Sequence, residues 1–562
     1  MKKFILILFV IINSLVAQVA INQVGYLPQS KKSTYFNAEV NSFKIVDAET
    51  GKEVFSADCK LWKRDDPASG ETVYRGDFSQ FSKQGTYYII GNNGQKSAPF
   101  TIASEVYDDL YQKSVKSFYI QRCGVALNEK YAGKFAHPLC HTQDGIYHSS
   151  AGKTGHKDVT GGWHDAGDYG KYIVNGAYSV GVMLMGYELY PDGFSSDDLN
   201  IPESGNGVPD YLDECRFELE WFLTMQDEDG GLYHKVTAAN FSAMDTKPQN
   251  HQDDRLIIQK SSTATADFAA VMAKAARIYR QYDEDFSKAC LTAALEAWTY
   301  LENNPKIVPK GGYRNPRGIS TGAYGDNNDL DERLWAAVEL YITLGDEKFN
   351  RFYRDNIGSS PEFDELFSWN SVQNLAHINY LLLTDNANAE ETKATIKKSF
   401  RKYCETLKTK CNNSGYRVLL DAGDYQWGSC QMALNSGFMM LVGAEIFNEK
   451  EYHTVAMDQL HFNLGVNALH TSFVTGFGTQ YPKSVHNRIC SLTDDWSIFP
   501  GFLVGGPNEN LQDPALQKAF DKKTPPAKCY VDVMESYASN ETCINWNAIL
   551  VVYAGYLKGL EY

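Results

Sequence analysis

The stretch TADFAAVMAKAARIY, residues 265–279, repeats its apolar side chains at the spacing of an α-helix. The residues on one face are Phe268, Val271, Met272, Ala275 and Ile278. Apolar residues at positions i, i+3, i+4 and i+7 are typical of a helix that packs one face against a core. The stretch therefore predicts a packed helix and favours an all-α region around it.

The same pattern continues along most of the chain. It recurs in YLDECRFELEWF, residues 211–222, and in DERLWAAVELYITLG, residues 331–345, where Gly345 is a common kind of helix stop. Roughly a dozen such segments follow Glu105, separated by loops rich in Pro, Gly and Asn. No unit of about 20–50 residues repeats, which excludes a solenoid array. We predict one large all-α domain over residues 104–562, with its function carried by long loops.

Residues 18–103 have a different pattern, with short segments rich in Tyr, Val and Ile. These segments are STYFNA (33–38), FKIVDA (43–48), TVYRGDF (72–78) and GTYYIIG (85–91). Turn-forming stretches such as ETGKE (49–53) and GNNGQK (91–96) lie between them. Short strands at this spacing predict a small β-sandwich of immunoglobulin type.

The first 17 residues are typical of a secretory signal peptide. Lys2 and Lys3 precede the apolar run Phe4–Ile12, and Ala17 offers a small residue for cleavage. The run is too short for a membrane span, and no Cys follows Ala17 to carry a lipid. We therefore expect a secreted protein, extracellular or periplasmic, with no membrane segment in its mature form.

The composition narrows the class of partner. Hydrophobic residues make up 43% and charged residues 22%, the balance of a soluble globular protein. The formal net charge of −16 disfavours nucleic acid and anionic membranes, because both attract basic surfaces. The 11 Cys residues are odd in number and scattered, unlike a compact disulfide framework. We expect a monomer that acts on a neutral substrate.

The tetrapeptide DAGD occurs twice. The first copy, Asp165–Asp168, lies in VTGGWHDAGDYGKYIV (159–174), with Trp and His before it and Tyr after it. The second copy, Asp421–Asp424, lies in VLLDAGDYQWGSC (418–430) and lacks the preceding Trp-His pair. Two close carboxyl groups among aromatic rings suit glycosidic hydrolysis, which needs a proton donor and a second carboxylate. Walker, HExxH and GxGxxG motifs are missing from the sequence.

Several motifs, in order, resemble glycoside hydrolase family 9, the inverting cellulases. They are INQVGYLP (21–28), GGWHDAGDYGKY (161–172), IPESGNGVPDYLDE (201–214), TGAYGDNNDLDERLWAA (321–337), YQWGSC (425–430), TSFVTGFGTQYPKSVHNR (471–488) and YASNETCINWNAILV (537–551). The first is similar to the start of the immunoglobulin-like module that precedes many catalytic domains of this family. The resemblance covers essentially the whole mature chain. It implies that the all-α domain is an (α/α)6 barrel.

The resemblance also assigns catalytic roles. Asp168 matches the family's general base, and Asp165 matches the acid that helps to hold the attacking water. Glu541 matches the general acid, and its pKa should be raised by burial or by a nearby carboxylate. The second DAGD copy is interpreted as structural. Asn540 begins an N-glycosylation sequon, which we expect to be unused because a glycan would block Glu541.

Five further residues are expected to contact substrate. His486 and Arg488 match the family's substrate-contact pair, although Asn487 stands where the family often has His. Trp427 resembles a platform for a sugar ring, and Tyr537 is expected in the same part of the cleft. The fifth candidate is His234, in GGLYHKVT.

Two metal sites are implied by the resemblance. Asp331 and Glu332 match a family calcium site, in which Asn370 replaces a further acid; hard oxygen ligands suit calcium. Cys123, Cys140 and His141 resemble a structural zinc site, for which thiolates and imidazole are suitable ligands. The fourth zinc ligand of that pattern is replaced by Lys171. We consider two alternatives: His156 supplies the fourth ligand, or Cys123 and Cys140 form a disulfide.

The function that these residues predict is a secreted, inverting endo-β-1,4-glucanase. One alternative is an exo-acting member of the family, which cuts cello-oligosaccharides or glucosamine oligomers. Another is a non-catalytic glycan-binding protein. The last would be expected to lose an acid, whereas Asp165, Asp168 and Glu541 are all present.

Overall fold

A computed structural model of the chain describes residues 19–385 and 387–560. The predicted signal peptide, residues 1–17, lies outside the described residues. The rest consists of a small β module followed by a large helical body, which confirms the predicted fold class. The last strand of the module ends at Ile102, and the first helix begins at Asp108.

Eight strands form the N-terminal module. They are β1 (Val19–Ala20), β2 (Gly25–Tyr26), β3 (Ser33–Phe36), β4 (Ser42–Asp47), β5 (Glu53–Lys63), β6 (Val73–Asp77), β7 (Gly85–Gly91) and β8 (Phe100–Ile102), in the spatial order β1-β3-β6-β5-β4-β7-β8-β2. Strand β5 pairs with β4 through residues 53–58 and with β6 through residues 59–63. Side chains from both halves of the sheet, such as Phe36 and Ile89, share one buried apolar cluster. The two halves therefore face each other across a common core.

Fifteen α-helices lie in the described part of the chain. They are α1 (Asp108–Ile120), α2 (Glu129–Ala132), α3 (Ile173–Leu189), α4 (Asp210–Met225), α5 (Ser262–Tyr279), α6 (Glu284–Asn303), α7 (Leu330–Leu344), α8 (Glu347–Asn356), α9 (Gln373–Leu383), α10 (Glu390–Asn413), α11 (Ser429–Phe447), α12 (Lys450–Asn463), α13 (Pro514–Ala519), α14 (Tyr537–Asn540) and α15 (Ile544–Lys558). Four short strands also occur: β9 (Ile146–Tyr147), β10 (Lys171–Tyr172), β11 (Lys235–Thr237) and β12 (Leu256–Ile257).

The long helices form two concentric layers. Helices α3, α5, α7, α9, α11 and α15 are buried along most of their length, and α15 packs back onto α3. Helices α1, α4, α6, α8, α10 and α12 expose one side and pack against the inner helices. This double ring is the arrangement of an (α/α)6 barrel. Helix α11 is apolar and long enough to cross a membrane, but it is an inner helix, mostly buried in the protein.

Helix α5 shows why the inner layer forms. Its first turn is capped by Ser261, whose side-chain oxygen accepts a hydrogen bond from the N–H of Ala264 at 3.1 Å. The sequence predicts one apolar face, but every residue of α5 except Arg277 is buried. Small residues, mainly Ala, cover the sides away from the apolar face, so neighbouring helices can approach from several directions.

Candidate active site

A cavity of about 1030 Å³ opens at one end of the barrel, on loops that join the helices. Its lining includes the three predicted catalytic acids, Asp165, Asp168 and Glu541. Four of the five predicted substrate contacts also line it: Trp427, His486, Arg488 and Tyr537. No lining residue precedes Asp165, so the β module contributes none within the described chain.

The first DAGD sequence forms a tight loop that requires glycine at its third position. A Cβ atom at Gly167 would lie 2.2 Å from the carbonyl oxygen of His486 and 3.0 Å from Oε1 of Glu541. His486 and Glu541 form a parallel β-bridge with each other. The loop is therefore pressed against this bridge, which brings the base segment and the acid segment together.

The second DAGD sequence is not packed tightly in this way. A Cβ atom at Gly423 would meet no atom closer than 3.9 Å. Asp421 and Asp424 form a capping box on a short 3-10 helix, and both carboxylates pair with Lys410. Neither acid lines the cavity. The structure therefore supports a structural role for this copy.

Asp165 is buried at the base of the cavity. Its Oδ1 accepts a hydrogen bond from Asn175 at 2.6 Å, and its Oδ2 accepts one from the hydroxyl of Tyr324 at 2.6 Å. Burial, and then the charge of Asp168, raise the pKa of Asp165 to about 8. Asp165 therefore keeps a proton to a higher pH than an ordinary Asp does.

Asp168 is held by its own loop and by one tyrosine. Its Oδ2 accepts hydrogen bonds from the N–H of Gly170 at 2.9 Å and from the hydroxyl of Tyr172 at 3.2 Å. Only 8% of Asp168 is exposed, yet it reaches the cavity. A carboxylate placed in this way can accept a proton from water in the cavity.

Glu541 lies at the end of the short helix α14. Its Oε1 accepts a hydrogen bond from the N–H of Gly167 at 3.2 Å. Burial, and then the charges of Asp168 and Asp165, raise the pKa of Glu541 well above its ordinary value. The side chain therefore keeps its proton to a higher pH than an ordinary Glu does, as suits a proton donor. The sequon residue Asn540 is buried and hydrogen-bonded through its side chain to Ser484 and Tyr530, which leaves no exposed amide for a glycan.

His486 presents one ring nitrogen to the cavity. Its Nδ1 lies 2.7 Å from the carbonyl oxygen of Met534, so Nδ1 carries the proton and donates it. Burial lowers the pKa of His486, so the ring is neutral. Nε2 is then a hydrogen-bond acceptor, suited to a sugar hydroxyl.

Arg488 makes more contacts with the protein than the sequence indicates. Its Nη1 donates to the carbonyl oxygen of Gly167 at 2.6 Å, and its Nε and Nη2 donate to that of Ser242 at 3.0 and 2.7 Å. One guanidinium N–H group thus holds the DAGD loop through Gly167, and two more hold the chain at Ser242. The other two remain for a ligand.

Aromatic rings line the cavity around the acids. Trp427 is 38% exposed, and its ring centroid lies 5.6 Å from that of Tyr537. Phe241, 50% exposed, and Trp369 also line the cavity, although the sequence analysis did not select them. Such rings can pack on the C–H faces of sugars. An isolated aromatic residue in a loop gives no local signal by which it could have been recognised.

His234 does not line the cavity, which corrects its prediction as a substrate contact. It is fully buried and stacked on Tyr313, with ring centroids 3.4 Å apart. Its Nδ1 is hydrogen-bonded to Ser261 at 2.8 Å and its Nε2 to the carbonyl oxygen of Ala323 at 2.9 Å. Both ring nitrogens are occupied, so His234 supports the loop next to Tyr324 instead.

A compact cluster of metal-ligand side chains lies beside the catalytic loop. Sulfur or nitrogen atoms of Cys123, Cys140, His141 and His164 all lie within 4.8 Å of one another, and all four residues are buried. All eleven Cys residues are free thiols, so the disulfide alternative does not form. His156 is exposed and outside the cluster. His164 was not predicted as a metal ligand, because it lies directly before Asp165, in the catalytic motif.

The protonation of this cluster follows from a chain of hydrogen bonds. The carboxylate of Asp253 accepts from His251 Nε2 at 3.2 Å, so the neutral ring of His251 has an acceptor at Nδ1. That atom lies 3.0 Å from Nε2 of His141, which must be the donor. Burial lowers the pKa of His141, so its ring is neutral and its Nδ1 carries a lone pair rather than a proton. This Nδ1 accepts a hydrogen bond from Nε2 of His164 at 3.2 Å.

The predicted calcium residues lie at the start of helix α7. Both carboxylate oxygens of Glu332 are buried and accept no hydrogen bond from the described residues, and the same holds for Asp267 on α5. Burial, and then Asp331 and Asp267, raise the pKa of Glu332 well above its ordinary value. Asp331 accepts hydrogen bonds from Asn328 and from the N–H of Val372. Asn370 is exposed and lines the active-site cavity.

Comparison with known proteins supports the family resemblance. Residues 107–554 match the model of glycosyl hydrolase family 9, and residues 16–96 match that of the cellulase N-terminal Ig-like domain. A xyloglucan-specific endo-beta-1,4-glucanase of Bacteroides ovatus is 37% identical, over 96% of this chain and 94% of that protein. Endoglucanase D of Acetivibrio thermocellus is 35% identical, over 96% of this chain and 84% of that protein.

A solved structure gives the same result. The crystal structure of a metagenome-derived glycoside hydrolase family 9 endoglucanase superposes with a TM-score of 0.90 at 33% identity, covering 97% of this chain and 99% of that one. The double ring of helices, the three buried acids in one cavity and these matches along nearly the whole chain agree. The chain therefore belongs to glycosyl hydrolase family 9 and is a glycoside hydrolase with an N-terminal Ig-like module.

Proposed function

We propose that this protein is an exported, inverting endo-β-1,4-glucanase, with its module over residues 18–103 and its catalytic domain over residues 104–562. The observation that carries the proposal is the position of Asp168 and Glu541 in one cavity, where burial raises the pKa of Glu541. The predicted signal peptide, residues 1–17, supports export. The endo-acting relatives and the aromatic rings along the cavity support a β-glucan chain as the substrate.

Each of the three acids has a different role in the proposed reaction. Asp168 takes a proton from water while the water oxygen attacks the anomeric carbon, and Asp165 helps to hold that water. Glu541 gives its proton to the oxygen of the departing sugar, so the glycosidic bond breaks without a separated alkoxide. The two carboxyl groups exchange protonation states in each turnover, and solvent then resets them.

The first experiment tests the bond and the stereochemistry. Attack by water from the face opposite the leaving group inverts the anomeric centre, so a β-linked glucan should release the α-anomer first. Proton NMR of the earliest product would show it before mutarotation. An initial β-anomer signal, or a glycosyl ester trapped on either carboxylate, would contradict a base that acts through water.

The same enzyme preparation tests endo action and substrate choice. Carboxymethylcellulose, xyloglucan, mixed-linkage glucan and chitosan oligomers are compared for turnover and product size. An endo-glucanase should lower the viscosity of carboxymethylcellulose well before much reducing sugar appears. Release of short products at constant viscosity would favour the exo-acting alternative instead.

We further propose that Cys123, Cys140, His141 and His164 hold a structural zinc ion. Two thiols and two imidazoles within 4.8 Å match a closed Cys2His2 site, and the lone pair of His141 points into it. Lys171 cannot be the fourth ligand, because its ammonium donates to Asp144, to the carbonyl of Val159 and to that of Gly161. Zinc would supply a cross-link between these segments of chain.

We also propose calcium near the start of helix α7. The buried, unpartnered carboxylates of Glu332 and Asp267 fit a divalent cation, which would supply the positive charge that the described side chains do not. Asp331 lies in the same acidic group and contributes to the raised pKa of both. Asp267 is a candidate that the sequence analysis did not select.

Metal analysis of the purified protein tests both sites. We expect zinc in the wild type, and a loss of affinity of at least about tenfold in Cys123→Ser and His164→Gln. Cys404→Ser, another buried free thiol, is the control and should keep its zinc. A chelator should lower the melting temperature, and calcium added back should raise it in the wild type but not in Glu332→Gln. If the wild type holds no zinc, the zinc site is rejected; if added calcium does not change the melting temperature of the chelated wild type, the calcium site is rejected.

A further inference from the structure

Lys235 is a fully buried lysine behind the catalytic acids. It lies on strand β11, where it pairs in the ladder with Tyr172 of β10. No carboxylate lies within 4.0 Å of its ammonium among the described residues. A buried ammonium without a direct ion pair is costly, so its position needs an explanation other than ordinary packing.

The first group of contacts reaches Asp165. The ammonium donates to the carbonyl oxygen of Gly322 at 2.5 Å and to Oγ1 of Thr321 at 3.0 Å. The chain then runs two residues to Tyr324, whose hydroxyl donates to Asp165 at 2.6 Å. Tyr324 has a φ of 45°, a left-handed conformation that is costly for a bulky residue. The neighbouring anchor at 321–322 helps to keep it there.

The second group of contacts reaches Asp168. The Lys235 ammonium lies 5.3 Å from the ring centroid of Tyr172, close enough for a cation–π interaction. The hydroxyl of Tyr172 donates to Asp168 at 3.2 Å. Lys235 therefore contacts the ring of Tyr172 and anchors the segment that carries Tyr324. The hydroxyl of Tyr172 donates to Asp168, and that of Tyr324 donates to Asp165.

The charge of Lys235 also acts on this pair. Burial lowers the pKa of Lys235 to about 7, while the negative charges of Asp168 and Asp165 oppose this shift. Several other titratable or charged side chains surround Asp168, and its response to pH depends on all of them. They are Asp165, Tyr172, Arg255, His486, Arg488 and Glu541.

We propose that Lys235 is a positioning residue of the catalytic pair: its buried ammonium fixes Tyr172 and segment 321–324, so that their phenols hold Asp168 and Asp165, and it places a positive charge behind both. This inference rests on the proposed roles of Asp168 and Asp165. It assigns a function to the residue after His234, whose own ring anchors the same segment at Ala323.

The test compares Lys235→Met, which removes charge and donors at similar length, with Lys235→Gln, which keeps a donor. Lys274→Met is the matched control, because Lys274 is equally buried but pairs with Glu188 and Glu339 outside the cavity. Turnover number, KM and the pH profile are measured on carboxymethylcellulose, with thermal unfolding of each variant.

We expect kcat to fall by at least about tenfold in both Lys235 variants, with KM within about twofold. The acidic limb of the pH profile should move to higher pH, because a carboxylate that loses a nearby cation binds its proton more tightly. Lys274→Met should lose stability without moving the limb.

Folded Lys235 variants with an unmoved limb and wild-type kcat would overturn the proposal. A second result would also overturn it: the Lys235 variants lose kcat without any shift of the acidic limb, and Lys274→Met shows the same loss. That result is expected if Lys235 has a structural role alone. If neither Lys235 variant folds, Tyr172→Phe tests the same connection from the carboxylate side, and unchanged kcat and pH profile there would also overturn it. A wild type inactive on every β-glucan would instead reject the proposed function.

Discussion

Replacing Asp168 by Asn is expected to lower kcat by about 10²–10⁴-fold and to leave the protein folded. The amide keeps the shape of the carboxylate and can still accept hydrogen bonds from Gly170 and Tyr172 through its oxygen. It cannot take a proton from water, so the attacking nucleophile is no longer activated. KM should change little, because the lost function is exercised in the transition state.

Asp424→Asn is the matched control for this substitution. It makes the same chemical change at the same position of the second DAGD sequence, where Asp424 pairs with Lys410 outside the cavity. Its kcat should stay within about twofold of the wild type, since a partly exposed ion pair contributes little. If Asp424→Asn were as damaging as Asp168→Asn with normal thermal unfolding, the assignment of the base to the first copy would be wrong.

The helices and strands were predictable because their signals are local. The 3.6-residue period of residues 265–279 and the short strands of residues 18–103 both reappear in the structure. The depth of burial was not predictable from the same period: an amphipathic pattern predicts one packed face, whereas α5 is covered on almost every side. Whether a helix is inner or outer depends on the rest of the chain.

The catalytic site was predictable only where residues are adjacent in sequence or match a motif. Asp165, Asp168 and Glu541 all line the cavity, although more than 370 residues separate Gly167 from Glu541. Contacts with residues that are distant in the sequence are the basis of the roles proposed for His164, Asp267 and Lys235. His234 is buried outside the cavity lining, and its place in GGLYHKVT does not reveal which way its ring faces.

Glu541→Gln is expected to reduce kcat by an amount that depends on how good the leaving group of the substrate is. On a cellulose chain or a cello-oligosaccharide the departing alcohol is a poor leaving group, and losing the proton donor should cost about 10²–10⁴-fold in kcat. On an aryl cellobioside with a highly acidic phenol, the bond breaks with little protonation, so the loss should be much smaller. The basic limb of the pH profile should also disappear, because it reports the loss of the proton from Glu541.

Stability gives an independent check on the same variant. Burial in the folded protein raises the pKa of Glu541 above its value in the unfolded chain. Stability linked to that proton is fully present below the ordinary carboxyl range and is lost as the pH rises through the raised pKa. Gln carries no such proton, so Glu541→Gln should be at least as stable as the wild type at neutral pH and more so as the pH rises. A variant that is destabilised, or one that loses equal activity on good and poor leaving groups, would show that Glu541 is not the proton donor.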